Sequence, residues 1–140
     1  MRIITISMLA VLSLWTYSAD EPVVIVNKEN PVQSVSKKEL SNIFKQKQRS
    51  WDSGGAIEVL NLSKGNPVIH EFTKKMLDMS VEDLEKYYLK NALSGKGQPP
   101  RTVDSPEKVK EIVGSNKDVI GYIDSKDVDH RVKVLTVESR

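Results

Sequence analysis

Compact apolar runs separated by amphipathic segments constrain the fold of this chain more than any other feature. Residues 23–26 and 119–123 are short apolar runs, the second with one internal glycine, and runs of this length are typical of buried strands. Residues 57–60 and 132–137 show enough alternation to predict two further strands. Strands separated by helices predict an α/β fold, in which a mixed sheet is flanked by helices.

The amphipathic segments carry the sequence signals of helix ends. Glu39 follows Ser36 at the spacing of a capping box, and Pro67 occupies a predicted first helical position. The predicted N-caps are Ser36, Asn66 and Ser80. The predicted helices cover residues 37–45, 67–77, 81–93 and 106–114, and the last has Gly114 as its C-terminal stop.

A loop of fixed geometry is predicted at residues 94–102, between the third helix and the fourth. Two glycines, Gly95 and Gly97, and the Pro99-Pro100 pair interrupt regular structure there. Glycine permits positive φ angles and a close approach of the backbone to a ligand. The alternative is a purely structural loop that is stiffened by its prolines.

The first 19 residues have the pattern of a secretory signal peptide. A basic start precedes an apolar segment that is too short to span a bilayer, and small residues then lead to the acidic Asp20. Cleavage is predicted after Ser18 or Ala19, which leaves one domain of residues 20–140 in the periplasm or outside the cell, with no membrane span. The alternatives are an uncleaved anchor and a buried first helix.

Composition and charge exclude several function classes. The chain of 140 residues has a formal net charge of +2 with the two signs mixed along it, so it lacks the clustered basic footprint of a nucleic-acid-binding protein. It has no cysteine, which rules out disulfides, thiol chemistry and cysteine-based zinc sites. Its two histidines, His70 and His130, lie far apart and lack a metal-binding motif. We therefore expect neither enzyme activity nor a metal or other cofactor.

Anion binding is the chemistry that the sequence favours most. The candidate residues are Ser63, Lys64, Gly65 and Asn66. They directly precede a predicted helix N-terminus, where free backbone N–H groups and the helix dipole favour a negative ligand. Lys64 adds a positive charge, and Arg101 is a second candidate for contact with the anion. The alternative is an ordinary turn before a capped helix.

Taken in order, these segments resemble the phosphate-type substrate-binding proteins of ABC transporters. Residues 40–51 are similar to the L..IF.GK...W stretch of that family. The other similar segments are residues 57–61, 63–77, 95–97 and 119–122. The resemblance covers about residues 23–125, and it implies the fold of a type 2 periplasmic binding protein. It also implies that residues 63–77 correspond to the phosphate-contacting loop and its helix.

The chain departs from the pattern of this family in two ways. The phosphate loop of the family has a Gly-Ser-Gly-Thr run with an arginine shortly before it. Residues 61–67 lack that arginine, and Pro67 has no N–H to donate. Family members also have two lobes that close on the ligand, whereas this chain has residues for one lobe.

Two hypotheses follow from the sequence. The first is a periplasmic or secreted single-lobe protein that binds phosphate or another small oxyanion weakly. Binding would occur at residues 63–67 and Arg101, or only when a partner supplies the second wall. The alternative is an envelope protein-interaction module that has lost small-ligand binding, with residues 37–49 and the loop of Trp51 as its contact surface. The implied partners are a small oxyanion, an envelope protein or a second copy of the chain.

Overall fold

A six-stranded sheet with four α-helices forms the protein in a computed structural model that describes residues 21–139. The predicted signal peptide lies outside the described residues. The strands are β1 Pro22–Val26, β2 Ser34–Ser36, β3 Glu58–Leu62, β4 Arg101–Val103, β5 Val119–Asp124 and β6 Lys133–Glu138. The helices are α1 Lys37–Phe44, α2 Val68–Leu77, α3 Val81–Leu93 and α4 Pro106–Ser115. Among the described residues, no helix has the length and apolar character needed to cross a membrane.

The sheet is mixed, as the sequence predicts. Its strand order is β2-β6-β1-β5-β3-β4. Strand β1 is antiparallel to both of its neighbours, β5 and β6, while the remaining pairs are parallel. The two apolar runs, β1 and β5, therefore lie side by side in the middle of the sheet, where both faces are covered. Central strands that are buried on both faces are continuous apolar runs rather than alternating ones.

The helices cover both faces of the sheet, and adjacent residues of β5 point to opposite sides of it. The Tyr122 ring stacks on Phe72 of α2 at a centroid distance of 3.7 Å and lies 5.8 Å from Phe44 of α1. A Cβ on the preceding Gly121 would meet Val109 of α4 at 2.9 Å. Helices α1 and α2 thus pack on one face, and α4 packs on the other.

Helix caps form largely where the sequence predicts them. Ser36 Oγ accepts a hydrogen bond from the Glu39 N–H at 3.0 Å, and Ser80 Oγ accepts one from the Asp83 N–H at 3.1 Å. The Glu39 carboxylate does not complete a capping box; it accepts a hydrogen bond from Gln48 Nε2 at 3.3 Å. Each cap supplies an acceptor for an N–H group that has no partner within its helix.

Several elements differ from the sequence prediction; most boundaries, such as the start of α2 at Val68 rather than Pro67, shift by one or two residues, and three differences matter more. The predicted loop at residues 94–102 ends early, because Arg101 and Thr102 begin strand β4, which pairs in parallel with β3. Strand β2 has no counterpart in the prediction, since three residues are too few to show a period. Helix α4 continues through Gly114 to Ser115. A Cβ at Gly114 would lie 3.4 Å from the Arg131 carbonyl oxygen, so this glycine permits close packing.

A cluster of four charged side chains fastens α4 to the segment before β6. Lys110 is 4% exposed, and its Nζ lies 2.7 Å from Glu107 Oε1 and 3.0 Å from Asp129 Oδ2. The Arg131 guanidinium lies 2.9 Å from the Glu107 carboxylate and 2.7 Å from that of Asp129. Hydrogen bonds from Arg131 lower the pKa of Asp129, and the hydrogen bond from Lys110 lowers the pKa of Glu107.

We expect Asp129→Asn to destabilise the protein at neutral pH and to make its free energy of unfolding depend less on pH. A carboxyl group with a lowered pKa in the folded state stabilises the fold above its unfolded pKa of about 4, and this stabilisation is lost as the pH falls further. Urea unfolding from pH 7 to about pH 3 should therefore show a wild-type advantage that shrinks with acid. Asp127→Asn, for which no side-chain hydrogen bond or ion pair is found among the described residues, is the matched control. A difference that stays constant with pH would contradict the prediction.

Candidate functional site

The turn after β3 carries the predicted anion-binding residues from the sheet to α2. The Ser63 N–H donates to the Val103 carbonyl oxygen of β4 at 2.9 Å, and the Asn66 N–H donates to the Ser63 carbonyl oxygen at 3.0 Å. Gly65 is exposed, and a Cβ placed there would meet nothing within 4 Å. The four residues from Ser63 to Asn66 thus form a tight turn at the end of β3.

The N-terminus of α2 has already used most of its hydrogen-bond donors. Asn66 Oδ1 accepts from the Val68 N–H at 3.0 Å, which is the capping contact that the sequence predicts for this residue. The Ile69 N–H donates to the Asn66 carbonyl oxygen at 3.3 Å, and the His70 N–H donates to that of Pro67 at 3.2 Å. A free anion would have to compete with these contacts, so the helix end is a weaker site than the sequence suggests.

Donors remain in the turn itself. Within residues 21–139, no hydrogen bond is found for the N–H groups of Lys64 and Gly65 or for the Ser63 hydroxyl. Adjacent free N–H groups in a turn form a small concavity that suits an anion. The candidate site is therefore centred on residues 63–65. It precedes the N-terminus of α2, where the helix dipole alone would place an anion.

The charge of Lys64 is balanced within the protein. Its Nζ lies 2.6 Å from Glu85 Oε2 of α3, and both side chains are about half exposed. The hydrogen bond to Glu85 raises the pKa of Lys64, and the nearby Glu82 raises it further. Lys64 is thus a cation at neutral pH, but the carboxylate beside it lowers the attraction of the turn for an anion.

A cavity of about 350 Å³ adjoins the turn, between the β3–β4 edge and α3. Ser63 and Lys64 are at its rim together with Glu85 and Thr102. Its walls are mainly apolar and come from Leu62, Ile69, Val81, Leu84, Leu89, Ala92, Pro99 and Pro100. The volume is at the lower end of the range for small-molecule sites. The cavity thus places a polar edge beside an apolar interior.

Two of the five candidate residues, Asn66 and Arg101, do not line the cavity that Ser63 and Lys64 line. Thr102 lines the cavity, and since neighbouring residues of a strand face opposite sides of the sheet, Arg101 points to the face of α4. Asn66 lines a separate cavity of about 200 Å³, which also has Asp124 and Asp127 in its wall. The structure thus brings together two of the predicted side chains and separates Arg101 from them.

The Gly95-Lys96-Gly97 loop is held by the segment that follows α1. The Arg49 guanidinium donates to the Lys96 carbonyl oxygen, and Gln46 Nε2 donates to the Gln98 carbonyl oxygen at 3.0 Å. Gly97 has a φ of +137°, and a Cβ there would lie 3.0 Å from Arg49. The positive φ angle therefore favours glycine at this position. Together with the two hydrogen bonds, it favours the structural interpretation of this loop.

A buried polar network underlies the cavity, and its members are not among the residues that the sequence singles out as candidates. Asn61 Oδ1 accepts from the Tyr122 hydroxyl at 3.1 Å, and the same hydroxyl oxygen accepts from the Leu62 N–H at 3.2 Å. The Tyr88 hydroxyl donates to the Phe44 carbonyl oxygen at 2.7 Å. Burial raises the pKa of Tyr88 to about 12 and also raises the pKa of Tyr122, so both hydroxyls stay protonated. The network fixes the end of β3 from which the turn departs.

Trp51 is not an exposed contact residue. Its side chain is 6% exposed, and its Nε1 donates to the Asp118 carbonyl oxygen at 3.1 Å. The Trp51 N–H also donates to the Gly55 carbonyl oxygen at 3.0 Å, which closes the loop on itself. Its indole therefore packs in the core and is not available for the protein-contact surface that the alternative hypothesis assigned to this loop.

Comparison with known proteins identifies the fold. No family model and no curated protein matches the sequence. Among solved structures, the chain is similar to an ABC-type phosphate transport receptor from Vibrio cholerae, with a TM-score of 0.67 and 20% identity over 84% of this chain and 46% of the receptor. The chain has the fold of one lobe of the phosphate-type substrate-binding proteins. The fold that the sequence resemblance implies is thus confirmed.

Two other solved structures of phosphate-type binding proteins align with this chain to a similar extent. A protein from Clostridium perfringens, assigned to the phosphate ABC transporter substrate-binding proteins and crystallised with bound phosphate, aligns with a TM-score of 0.66 and 22% identity over 84% of this chain and 45% of that protein. PstS from Borrelia burgdorferi aligns with a TM-score of 0.65 and 16% identity over 86% of this chain and 48% of PstS. The chain therefore spans just under half the length of the substrate-binding proteins that it resembles.

Proposed function

We propose that this chain is a solute-binding lobe of the phosphate-binding-protein type, which binds a small oxyanion weakly at residues 63–65. The observation that carries the proposal is the set of unused donors in the turn: the Lys64 and Gly65 N–H groups and the Ser63 hydroxyl. Lys64 Nζ supplies a positive charge at the same place. The fold supports the proposal, because one structure of this fold holds phosphate.

Three features of the site predict that the affinity is low. Glu85 places a carboxylate 2.6 Å from Lys64 Nζ, where it repels any anion that approaches the turn. Arg101 points away from the cavity, so bidentate guanidinium contacts are absent from the arrangement. A single lobe also leaves the anion in contact with water, which weakens every charge interaction there. We therefore expect binding at millimolar rather than micromolar phosphate.

Removing the competing carboxylate should strengthen anion binding. We expect Glu85→Gln to lower the Kd for phosphate about three- to tenfold, because Lys64 is released and the repulsive charge is lost. Isothermal titration of the purified protein with phosphate and with sulfate measures the change. Glu111→Gln, which removes an exposed carboxylate on α4, is the matched control and should leave the Kd unchanged. Absence of heat at millimolar anion for both the wild type and Glu85→Gln would refute the proposal.

The proposal includes export of the chain from the cytoplasm. Solute-binding lobes of this type would work beside a membrane transporter, and residues 1–19 have the pattern of a cleaved signal peptide. N-terminal sequencing of the exported protein should begin at Ala19 or Asp20. A mature chain that begins at Met1 would contradict this part of the proposal.

Protein binding is a second candidate function, and the surface of α3 favours it. Leu89 and Leu93 are 59% and 80% exposed, although neighbouring apolar residues of the same helix are buried. Exposed leucines that adjoin one another on a surface mark candidate sites of protein contact. The leucines of α3 are thus a further candidate contact surface beside residues 37–49 and the loop of Trp51, from which the buried Trp51 side chain is excluded.

A further inference from the structure

The cavity beside the turn at residues 63–65 has more room than a small inorganic oxyanion fills. Its volume of about 350 Å³ corresponds to about a dozen water molecules at roughly 30 Å³ each. Ser63 and Lys64 belong both to the turn and to the lining of the cavity, so a ligand held by the turn has this space next to it. Inorganic phosphate is much smaller and would leave most of the volume to water.

The interior of the cavity suits an apolar group. Leu62, Ile69 and Leu84 are among the buried residues of its walls. Its buried hydrogen-bonding side chains, Asn61 and Tyr88, already take part in hydrogen bonds of the protein. Asn61 Nδ2 donates to the Tyr88 hydroxyl at 3.4 Å, and that hydroxyl donates to a backbone carbonyl oxygen of α1 at 2.7 Å. Water has few polar partners in such a space, whereas burial of methylene groups there is favourable.

The rim of the cavity suits a head group with one negative charge rather than two. Lys64 Nζ and Glu85 Oε2 are 2.6 Å apart, so their formal charges offset each other. The attraction for an anion then comes mainly from the Ser63 hydroxyl and from the N–H groups of Lys64 and Gly65, for which no hydrogen bond is found within residues 21–139. The oxygens of a carboxylate can accept all of these bonds. A phosphate dianion carries a second charge, which Glu85 repels.

We propose that the ligand of this site is a monocarboxylate whose apolar chain or ring has on the order of six carbon atoms. The carboxylate accepts hydrogen bonds from residues 63–65, and the apolar part lies in the cavity between α3 and the β3–β4 edge. The inference rests on the proposed function, because it takes residues 63–65 as the anion contact, and it deepens that function by naming the class of anion. Burial of the apolar part adds binding free energy to a head-group contact that has no guanidinium.

A series of straight-chain carboxylates tests the use of the cavity. NMR chemical-shift titration of the isotope-labelled protein measures the Kd for acetate, butyrate and hexanoate, and the N–H signals of Lys64 and Gly65 should shift with each acid. Full burial tightens binding about fourfold for each methylene, so a cavity that is open to solvent should give about two- to fourfold. Hexanoate should therefore bind at least about fifteenfold more tightly than acetate. Equal Kd values for acetate and hexanoate would overturn the inference and leave the oxyanion proposal standing.

Variants that fill the cavity give the matched test. Ala92 lines the cavity from α3, and Ala92→Leu places a larger apolar side chain there while keeping a residue that favours helix. It should raise the Kd for hexanoate at least about fivefold and leave that for acetate within about twofold. Thr102→Leu fills the cavity from β4 and should act in the same way. Asn91→Leu, at a position that does not line the cavity, is the control and should change neither Kd. Circular dichroism verifies the fold of each variant, and an unchanged Kd for hexanoate in both filling variants contradicts the inference.

Ligands with other head groups separate the two proposals. 1-Hexanol has the same chain without the charge and should bind at least about tenfold more weakly than hexanoate. Ser63→Ala should raise the Kd for hexanoate about three- to tenfold and leave that for hexanol unchanged. If hexanol binds as tightly as hexanoate, or if no anion shifts the Lys64 and Gly65 signals, the oxyanion proposal itself fails. Tighter binding of hexyl phosphate than of hexanoate would overturn the choice of a singly charged head group.

Discussion

Replacing Phe72 by alanine is expected to lower the free energy of unfolding by about 3–5 kcal/mol, the range for truncation of a buried aromatic side chain. Phe72 is fully buried, and its ring is parallel to that of Tyr122 at a centroid distance of 3.7 Å. The Phe44 ring lies 4.8 Å from Phe72 and 5.8 Å from Tyr122, so the three rings contact one another. Loss of Phe72 would remove the contact that joins α2 to both α1 and β5.

Urea denaturation followed by circular dichroism measures this change. A loss of this size is a large part of the stability of a typical small domain, so Phe72→Ala should unfold at a much lower urea concentration. Phe72→Leu keeps an apolar side chain in the cluster and should lose clearly less than the alanine variant. His70→Ala, at an exposed position of the same helix, is the control for helix propensity. A loss of less than about 1 kcal/mol for Phe72→Ala would show that the cluster is not central to the fold.

Local signals in the sequence predicted most of the elements correctly. Ser36 and Ser80 cap helices because their hydroxyl groups accept from N–H groups only three residues away, and such contacts depend on nearby residues alone. The apolar runs of β1 and β5 predicted buried strands because their composition is sufficient to bury both sides of the backbone. The α/β architecture follows from the order of these elements.

Contacts between distant residues could not be predicted in this way. Strand β4 has three residues, and it is a strand because it pairs with β3, about 40 positions earlier in the chain. Arg101 consequently points away from the turn at residues 63–66, where it was predicted to contact the anion. The pairing of Lys64 with Glu85 joins a turn to a helix, and no local pattern indicates that the two side chains meet.

The candidate anion site depends on the same kind of distant contact. Residues 63–66 could be proposed from the turn and the following helix. Two of their own N–H groups, however, already donate to Val103 and Ser63, and the first N–H groups of the helix donate to Asn66 and Pro67. The family resemblance implied the lobe correctly because its motifs are spread over the whole fold. It says less about the proposed anion affinity, which would be set by a few side chains around the turn, among them Glu85.

Gly121 is the single glycine in the apolar run of β5, and we expect its replacement to have the second-largest effect on stability. A Cβ at this position would lie 2.9 Å from Val109 Cγ1, with Val113 Cγ2 at 3.6 Å and Leu60 Cβ at 3.7 Å. The φ angle of Gly121 is not positive, so space rather than backbone geometry requires glycine. We expect Gly121→Ala to lower the free energy of unfolding by about 1–3 kcal/mol through overpacking.

The cause of this loss can be tested with a compensating change. Val109 is stiff because it is β-branched and sits on a helix, so it cannot rotate away from the new methyl group. Val109→Ala removes the clashing methyl group, and the double variant should be more stable than the sum of the two single changes predicts, by about 0.5–3 kcal/mol. Gly65→Ala, in open space, should stay within about 0.5 kcal/mol of the wild type. If the losses of the two single variants simply add in the double variant, then α4 moves away from the new methyl group in Gly121→Ala. Close contact between β5 and the helix would then not be needed.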